Sequence, residues 1–275
     1  MLSQRQLDAF AEDHLGFLDD IAPRYLAGPG DARHVTHALA AAGWKVTSDP
    51  LVPVIDLASP DRRHQLRHDP QTMTGTSTWR LNNEDPDAYW CAQFSQIPVE
   101  ILAGLTGSLV LPPTAAEPPT VWDLLTNVGW TRTPYEDGAG SRSPDGMVSV
   151  EHRRITEGYE GRVWRIEVRP RPDEGPVIWS AWIAYEAPPH LITGLVAALT
   201  DPAPLQRTWA QNRAHYSAQR TDSPVTPEAH VAAHRTRIST IRARVRAARR
   251  EAKKTLTTTA APPAPAPSAP VRQAR

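Results

Sequence analysis

Apolar residues recur along the chain at helix and strand spacing, and the pattern predicts the same run of elements twice. Val35, Ala38, Leu39 and Ala42 share one helix face, and a second short helix repeats this face over 121–128. A Gly-Trp pair follows each helix, where a left-handed glycine commonly ends a helix. Strands and a closing helix complete each unit. The chain therefore predicts two α-β-β-β-(β)-α units.

The predicted strands lie at 52–57, around Trp79 and at 89–94 in the first unit, and at 147–152, 163–168 and 177–185 in the second. Closing helices begin at Pro98 and Pro188, because proline suits the first turn of a helix. Asp31 and Thr120 are the predicted N-caps of the opening helices. We expect an α+β fold with small antiparallel sheets that helices cover on one face.

Two flanking segments complete the predicted body. An amphipathic helix is expected over 3–21, where Leu7, Phe10 and Ile21 belong to one apolar stripe. Residues 205–220 are compatible with a helix, although the apolar pattern there is poor. The predicted division of the chain is an N-terminal helix over 1–23, repeat copies over 24–112 and 117–205, a basic helical arm over 206–256, and a disordered Pro/Ala-rich tail over 257–275.

Short motifs recur in the same order in both copies. Gly-Trp recurs with an offset of 86 residues and Ser-Pro-Asp with an offset of 84. The residues that carry these motifs are Trp44, Ser59, Pro60 and Asp61 in the first copy and Trp130, Ser143, Pro144 and Asp145 in the second. Recurrence in register indicates an internal duplication. Ser and Asp around a Pro favour a turn that bonds its own backbone, and a ligand-binding aspartate is the alternative.

The paired Ser-Pro-Asp motifs, the Gly-Trp pairs and the stretch 25–31 resemble an actinobacterial domain of unknown function, named SPDY for its motif and usually present in two copies. The resemblance covers roughly 24–205, and Arg62 and Gly146 stand where the family motif has tyrosine. It implies a duplicated bacterial protein of the cytosol. It implies no activity and no cofactor.

Charge balances only in sum. The 275 residues carry a formal net charge of zero, but residues 206–275 hold 14 basic and 3 acidic residues. This segment therefore has a net charge of +11, and the rest of the chain has a net charge of −11. Such asymmetry is typical of an interaction tail. No run of eighteen apolar residues exists, no secretory signal is visible, and Cys91 is the single cysteine. These features predict a cytoplasmic protein without a membrane partner.

A basic helix is predicted from Thr226 onward, with an apolar residue every seven positions from Val231 to Ala252. Its candidate binding residues are Arg235, Arg237, Arg242, Arg244, Arg246, Arg249, Arg250, Lys253 and Lys254. DNA or RNA phosphates are the first expected partner. An acidic protein surface, including this protein's own body, is the second, and anionic lipid ranks last. The oligomeric state stays open.

Candidate catalytic and metal chemistry is sparse in the sequence. His34 and His37 lie one helical turn apart, but no HExxH or cysteine pair accompanies them, so no metal, cofactor or catalytic residue is predicted. His34 is expected to face solvent. Cys91 is expected to be a small buried hydrophobe. Most tryptophans are expected to be core anchors, with Trp182 among those without a repeat counterpart.

Three functions follow as hypotheses. The first is a non-catalytic interaction protein whose duplicated body docks a partner and whose arm binds nucleic acid non-specifically. The second is an enzyme or small-ligand receptor with a site between the copies, where Asp61 and Asp145 would lie near a pseudo-twofold axis. The third is an arm that folds back on the acidic body and regulates it.

Overall fold

Each half of the body folds as one helix, five antiparallel strands and a closing helix. The structure is a computed structural model that describes residues 2–72, 77–111, 119–154, 161–171, 175–185 and 187–259. In chain order the elements are α1 (Gln4–Glu12), β1 (Leu18–Ala22), α2 (Arg33–Ala41), β2 (Lys45–Val46), β3 (Ile55–Ala58), β4 (His64–His68), β5 (Trp79–Asn83), β6 (Trp90–Ser95), α3 (Val99–Val110), α4 (Val121–Asn127), β7 (Thr131–Tyr135), β8 (Gly138–Arg142), β9 (Val148–Arg154), β10 (Arg162–Val168), β11 (Trp179–Tyr185), α5 (Pro189–Thr200), β12 (Leu205–Thr208), β13 (Gln219–Asp222) and α6 (Pro227–Thr259).

The strands of the two halves form one continuous sheet of ten strands, in the order β2-β3-β4-β5-β6-β11-β10-β9-β8-β7. The last strand of the first half pairs antiparallel with the last strand of the second. The expectation of a separate small sheet in each copy is therefore wrong. Each copy supplies five strands, and joining them removes two exposed sheet edges that would otherwise be open to unwanted pairing.

A pseudo-twofold axis passes through the centre of this sheet. Trp90 and Trp179 begin β6 and β11, so Gln93 and Trp182 are equivalent positions, and they pair directly across the junction. On the helix side, α3 packs against α5, and Gly104 meets its repeat counterpart Gly194. The axis therefore runs between the two glycines and between Gln93 and Trp182.

Helices cover one face of the sheet. The apolar faces predicted for the closing helices lie in the core, since Ile101, Leu105, Ile192 and Leu195 are all 0% exposed. The opening helices end in the same way in both copies. Their Gly-Trp pairs have a left-handed glycine, and the tryptophan amide reaches back five residues to a helix carbonyl over 3.0 Å.

Thr120 caps α4 as predicted, within a capping box with Asp123. Asp31 does not cap α2, because the residue at the cap position is Ala32. Instead the Asp31 carboxylate accepts the Arg33 amide over 2.8 Å and forms an ion pair with the Arg33 guanidinium.

The predicted strands lie in the sheet, but the sequence pattern missed others. The pattern did not predict β4, β7 and β8, because each carries few apolar residues. The strand that was predicted to begin at residue 52 begins at Ile55, as β3. A strand with one solvated face needs apolar residues only at alternate positions. The apolar stretch before β3 is exposed at Leu51 (91%) and half-exposed at Val52 (48%).

Two predicted helices in the flanking segments are wrong in part or in whole. The helix predicted over 3–21 begins as expected, with a Ser3–Gln6 capping box, but ends at Glu12, and residues 18–22 form β1. Gly16 disfavours continuation of the helix, and Phe17 is 96% exposed. Residues 205–220 are not one helix, because β12 and β13 both pair with β1 in a second, three-stranded sheet.

The arm helix α6 packs against α1 and α2. Its predicted stripe supplies the contact, since Val231, Ile238 and Ile241 are buried and Val245 packs on the core. The seven-residue repeat therefore faces the protein's own body. Among the described residues, no helix combines the length and apolar character that a bilayer crossing requires.

Candidate functional site

The two Ser-Pro-Asp motifs form identical tight turns, between β3 and β4 and between β8 and β9. In each turn the serine hydroxyl donates to the aspartate carboxylate, over 2.5 Å in the first copy and 2.6 Å in the second. The same serine oxygen accepts the amide of the residue five positions on, His64 or Val148. These bonds satisfy the turn locally.

The position after each aspartate has a left-handed backbone. Arg62 has φ of 60° and Gly146 has φ of 74°, and each amide donates to the carbonyl of the motif serine. Glycine adopts this conformation without strain, whereas arginine does so at a cost. Both turns therefore have the same backbone conformation, although the residue after the aspartate differs between them.

The two motif aspartates do not converge. Their turns lie at opposite ends of the sheet and six strand spacings apart, about 29 Å measured across the strands. Asp145 accepts a short hydrogen bond from the Tyr25 hydroxyl, and burial together with this carboxylate raises the pKa of Tyr25. Asp61 accepts bonds from its own turn, from Ser59 and the Arg63 amide. The expected aspartate pair at the pseudo-twofold axis is therefore contradicted.

Trp44 and Trp130 lie in the core, 5% and 8% exposed. A second aromatic feature is also duplicated. His68 stacks on its cross-strand neighbour Trp79 at 3.9 Å, and His152 stacks on Trp164 at 4.3 Å. These stacks lie on the helix-covered face, so the repeated tryptophans stabilise the body.

The other face of the ten-stranded sheet carries polar side chains and one exposed tryptophan. Trp182 is 51% exposed on β11, with Gln93 on one side and Arg165 on the other. The same register row continues through Arg80 to Arg67 on the outer strands of the first copy. We call this surface, defined by that row, the open face.

The open face is not acidic, although the body as a whole is. Alternation along the described strands places five arginines and three acidic residues on it. The arginines are Arg67, Arg80, Arg142, Arg153 and Arg165, and the acids are Asp56, Glu151 and Glu167. The acidic residues of the body therefore lie mostly elsewhere.

Several of these charges are paired. Glu167 bridges Arg165, at 2.5 Å, and Arg169, at 3.0 Å. No described carboxylate lies within ion-pair distance of Arg80. A groove of about 490 Å³ lies beside Trp182, with Arg153 and Arg165 in its lining. Cys91 also lies on this face, and it is half-buried rather than fully buried as expected.

The basic arm uses part of its charge inside the fold. The guanidiniums of Arg237, Arg242 and Arg249 donate to the backbone carbonyls of His34, Leu2 and Ala42. Arg235 pairs with Asp8 at 3.3 Å. These four predicted binding residues thus contact the body. Arg244, Arg246 and Arg250 are exposed, and the side chains of Lys253 and Lys254 lie outside the described residues.

A cluster of five histidines surrounds Phe10, which is 0% exposed. They come from three separate segments and are His14, His34, His37, His230 and His234. Phe10 stacks between His14 at 4.1 Å and His234 at 3.9 Å. The expectation that His34 faces solvent was wrong, because α1 and α6 cover that face of α2.

Burial keeps three of these imidazoles neutral. It lowers the pKa of His34 and of His37 to about 4, and the pKa of His234 to about 2. Beside them, the carboxylate of Glu100 accepts a bidentate pair of hydrogen bonds from the guanidinium of the buried Arg207. Burial alone would raise the pKa of Glu100, but the charge of Arg207 and its hydrogen bonds outweigh burial and bring this pKa to about 2.

The fold and its duplicated turns define a protein built from two copies of one α+β unit around a pseudo-twofold axis. The family model named SPDY, a domain of unknown function (DUF317), matches residues 58–116 and 142–205. The two matched regions are consistent with two tandem copies of this domain. Each matched region starts directly before a Ser-Pro-Asp turn and runs through three strands and the closing helix. No curated protein and no solved structure matches the chain.

Proposed function

We propose that this is a non-catalytic interaction protein that binds single-stranded nucleic acid on the open face of its sheet. The proposal rests on the exposure of Trp182, which is half-exposed at the centre of a ten-stranded sheet. Water-exposed tryptophan at the middle of a sheet costs hydrophobic burial, and a flat indole offers a surface on which a base can stack. Stacking needs no particular base, so the proposed binding is sequence-tolerant.

The surroundings of Trp182 fit a polyanionic strand. Arg67, Arg80 and Arg165 lie in its register row, at strand spacings of about 4.8 Å. Arg80 is without an ion-pair partner among the described residues, so its charge is available to a phosphate. Arginine also stacks on bases through its planar guanidinium. The row thus places one aromatic side chain among basic ones, the combination of stacking and charge that single-strand binding uses.

The arm supplies a second, weaker contribution in this proposal. Arg244, Arg246 and Arg250 are exposed and offer sequence-independent phosphate contacts. The buried half of the same helix is part of the fold, since Ile238 is 1% exposed. Deleting the whole arm would therefore disturb the body, and substitutions at the exposed arginines are the sharper test.

The proposal is tested by fluorescence anisotropy of a labelled oligothymidylate titrated with full-length protein and with Trp182→Ala. Loss of one stacked base costs about 1–3 kcal/mol, which corresponds to about 5- to 150-fold weaker binding. Trp182→Phe should recover part of this loss. Trp209→Ala is the matched control, because Trp209 is 83% exposed but lies outside the sheet.

A triple variant, Arg244→Gln with Arg246→Gln and Arg250→Gln, separates the arm from the open face. We expect it to reduce the slope of log affinity against log salt by roughly 0.7 for each phosphate of a single strand that the arm no longer neutralises. Equal affinity of wild type and Trp182→Ala would refute the open face as the binding surface. If only the arm variant changes binding, the arm is the whole interface.

A further inference from the structure

A metal site is available in the histidine cluster, away from the open face. His14, His34 and His230 offer ligand nitrogens that all lie within 4.8 Å of one another. Some point between three such atoms therefore lies within about 2.8 Å of each of them, against Zn–N bonds of about 2.0–2.1 Å. Movements of less than about 1 Å would therefore bring three imidazoles into coordination.

We propose that His14, His34 and His230 bind a divalent transition metal of the zinc type. His14 follows α1, His34 lies on α2 and His230 lies on α6, so the bound ion would join three separate segments. Their positions in the sequence, with an offset of 20 from the first to the second and of 196 from the second to the third, give no recognisable metal motif. The fold alone brings them together.

The surroundings of His14 match what metal-bound imidazoles need. His14 Nδ1 lies 2.7 Å from the carbonyl oxygen of Phe10, so this nitrogen carries the proton, and the Nε2 lone pair accepts the Gln211 side-chain amide over 3.0 Å, a bond that a metal ion would displace. Metal-bound histidines commonly hold their second ring nitrogen on a carbonyl in this way. The Asp31 carboxylate lies 3.8 Å from His14 Nε2, and the Glu100 carboxylate lies 3.7 Å from His34 Nε2.

The local charges select for nitrogen-preferring metals. Arg33 pairs with Asp31, and Arg207 pairs with Glu100, so both nearby carboxylates already have cationic partners. Hard cations such as Ca²⁺ and Mg²⁺ need several free oxygen ligands. Imidazole suits zinc, cobalt, nickel and copper instead. The site therefore belongs to the second group.

The first test adds Co²⁺ to the full-length protein and records its visible absorption, followed by displacement with Zn²⁺. Wild type should develop the absorption of tetrahedral cobalt and lose it on addition of Zn²⁺. His230→Gln should weaken Co²⁺ binding by more than about 100-fold, since removal of a ligand exceeds the loss from a supporting residue. His190→Gln, a histidine on α5 outside the cluster, should bind as wild type does.

A second measurement does not depend on any variant folding. On addition of Zn²⁺, two-dimensional NMR should show shifted imidazole nitrogen resonances for three of the ten histidines. Tryptic cleavage in α6 should also slow, because the ion joins this helix to the body. Absence of both effects, or Co²⁺ binding lost equally in His190→Gln, would overturn the proposal. Shifts confined to histidines outside the cluster would do the same.

Discussion

The pseudo-twofold packing of α3 on α5 makes a sharp prediction for Gly104. A Cβ built at this position would lie 2.6 Å from the Ala198 Cβ and closer still to the carbonyl oxygen of Gly194. Real Cβ atoms do not approach backbone so closely, so Gly104→Ala must push the two helices apart. The axis of the duplication passes through this contact, and the whole helix layer is affected.

The magnitude follows from two opposed effects. Overpacking a close contact costs about 1–3 kcal/mol, and more where backbone must move. Alanine gains about 1 kcal/mol over glycine inside a helix. Gly107 supplies the matched control on the same helix, because a Cβ there meets nothing within 4 Å. Gly107→Ala should therefore stabilise the protein by about 1 kcal/mol. The free energy of unfolding of Gly104→Ala should be lower than that of Gly107→Ala by about 1–3 kcal/mol or more.

Equilibrium unfolding in urea measures both variants, with the free energy of unfolding taken from the midpoint and slope. Unchanged slopes would show that the difference is one of stability. If Gly104→Ala unfolds at the same urea concentration as Gly107→Ala or at a higher one, the close helix contact at the pseudo-twofold axis is wrong.

Three further predictions concern the turns, a buried ion pair and the arm, each measured by urea unfolding. Gly146→Ala should destabilise by about 1 kcal/mol because alanine is strained at φ of 74°, whereas Arg62→Gly in the equivalent turn should change stability by less than about 1 kcal/mol. Glu100→Gln should cost about 3–5 kcal/mol because it leaves the charge of Arg207, 1% exposed, without its partner. Ile238→Ala should cost about 2–5 kcal/mol and speed tryptic cleavage of α6, and an unchanged cleavage rate would contradict the packing of the arm on the body.

The duplicated unit was predictable from the sequence because the repeats are local. Each opening helix, each Gly-Trp and each Ser-Pro-Asp turn is specified by neighbouring residues, and short-range patterns carry that information. The joining of β6 to β11 was not predictable. Edge pairing depends on backbone groups that every strand offers, so no side-chain pattern marks Gln93 and Trp182 as neighbours.

The helix predicted over 3–21 failed for a related reason. Its apolar residues continue at helical spacing past Gly16, but β1 finds partners in β12 and β13 about 190 residues later in the chain. Tertiary pairing there outweighs the local pattern. The prediction for α6 was correct in its periodicity and left its partner open, since a stripe of apolar residues does not say what covers it.

The sites were the least predictable features. His34 with His37 and His230 with His234 each share one helix face, and this spacing was the available signal for the cluster. Nothing local indicates that both faces meet around Phe10. Trp182 was detectable as a tryptophan without a repeat counterpart, where the first copy has Gln93. Its exposure depends on which face of the sheet the helices cover.

The most direct test of the proposed function is photocrosslinking of the full-length protein to a thiolated single-stranded oligonucleotide, followed by mass spectrometry of the crosslinked peptides. We expect crosslinks in the peptide that contains Trp182 and in the neighbouring strand with Arg165. They should be competed by unlabelled single strands. Crosslinks confined to the arm, or none on the open face, would contradict it.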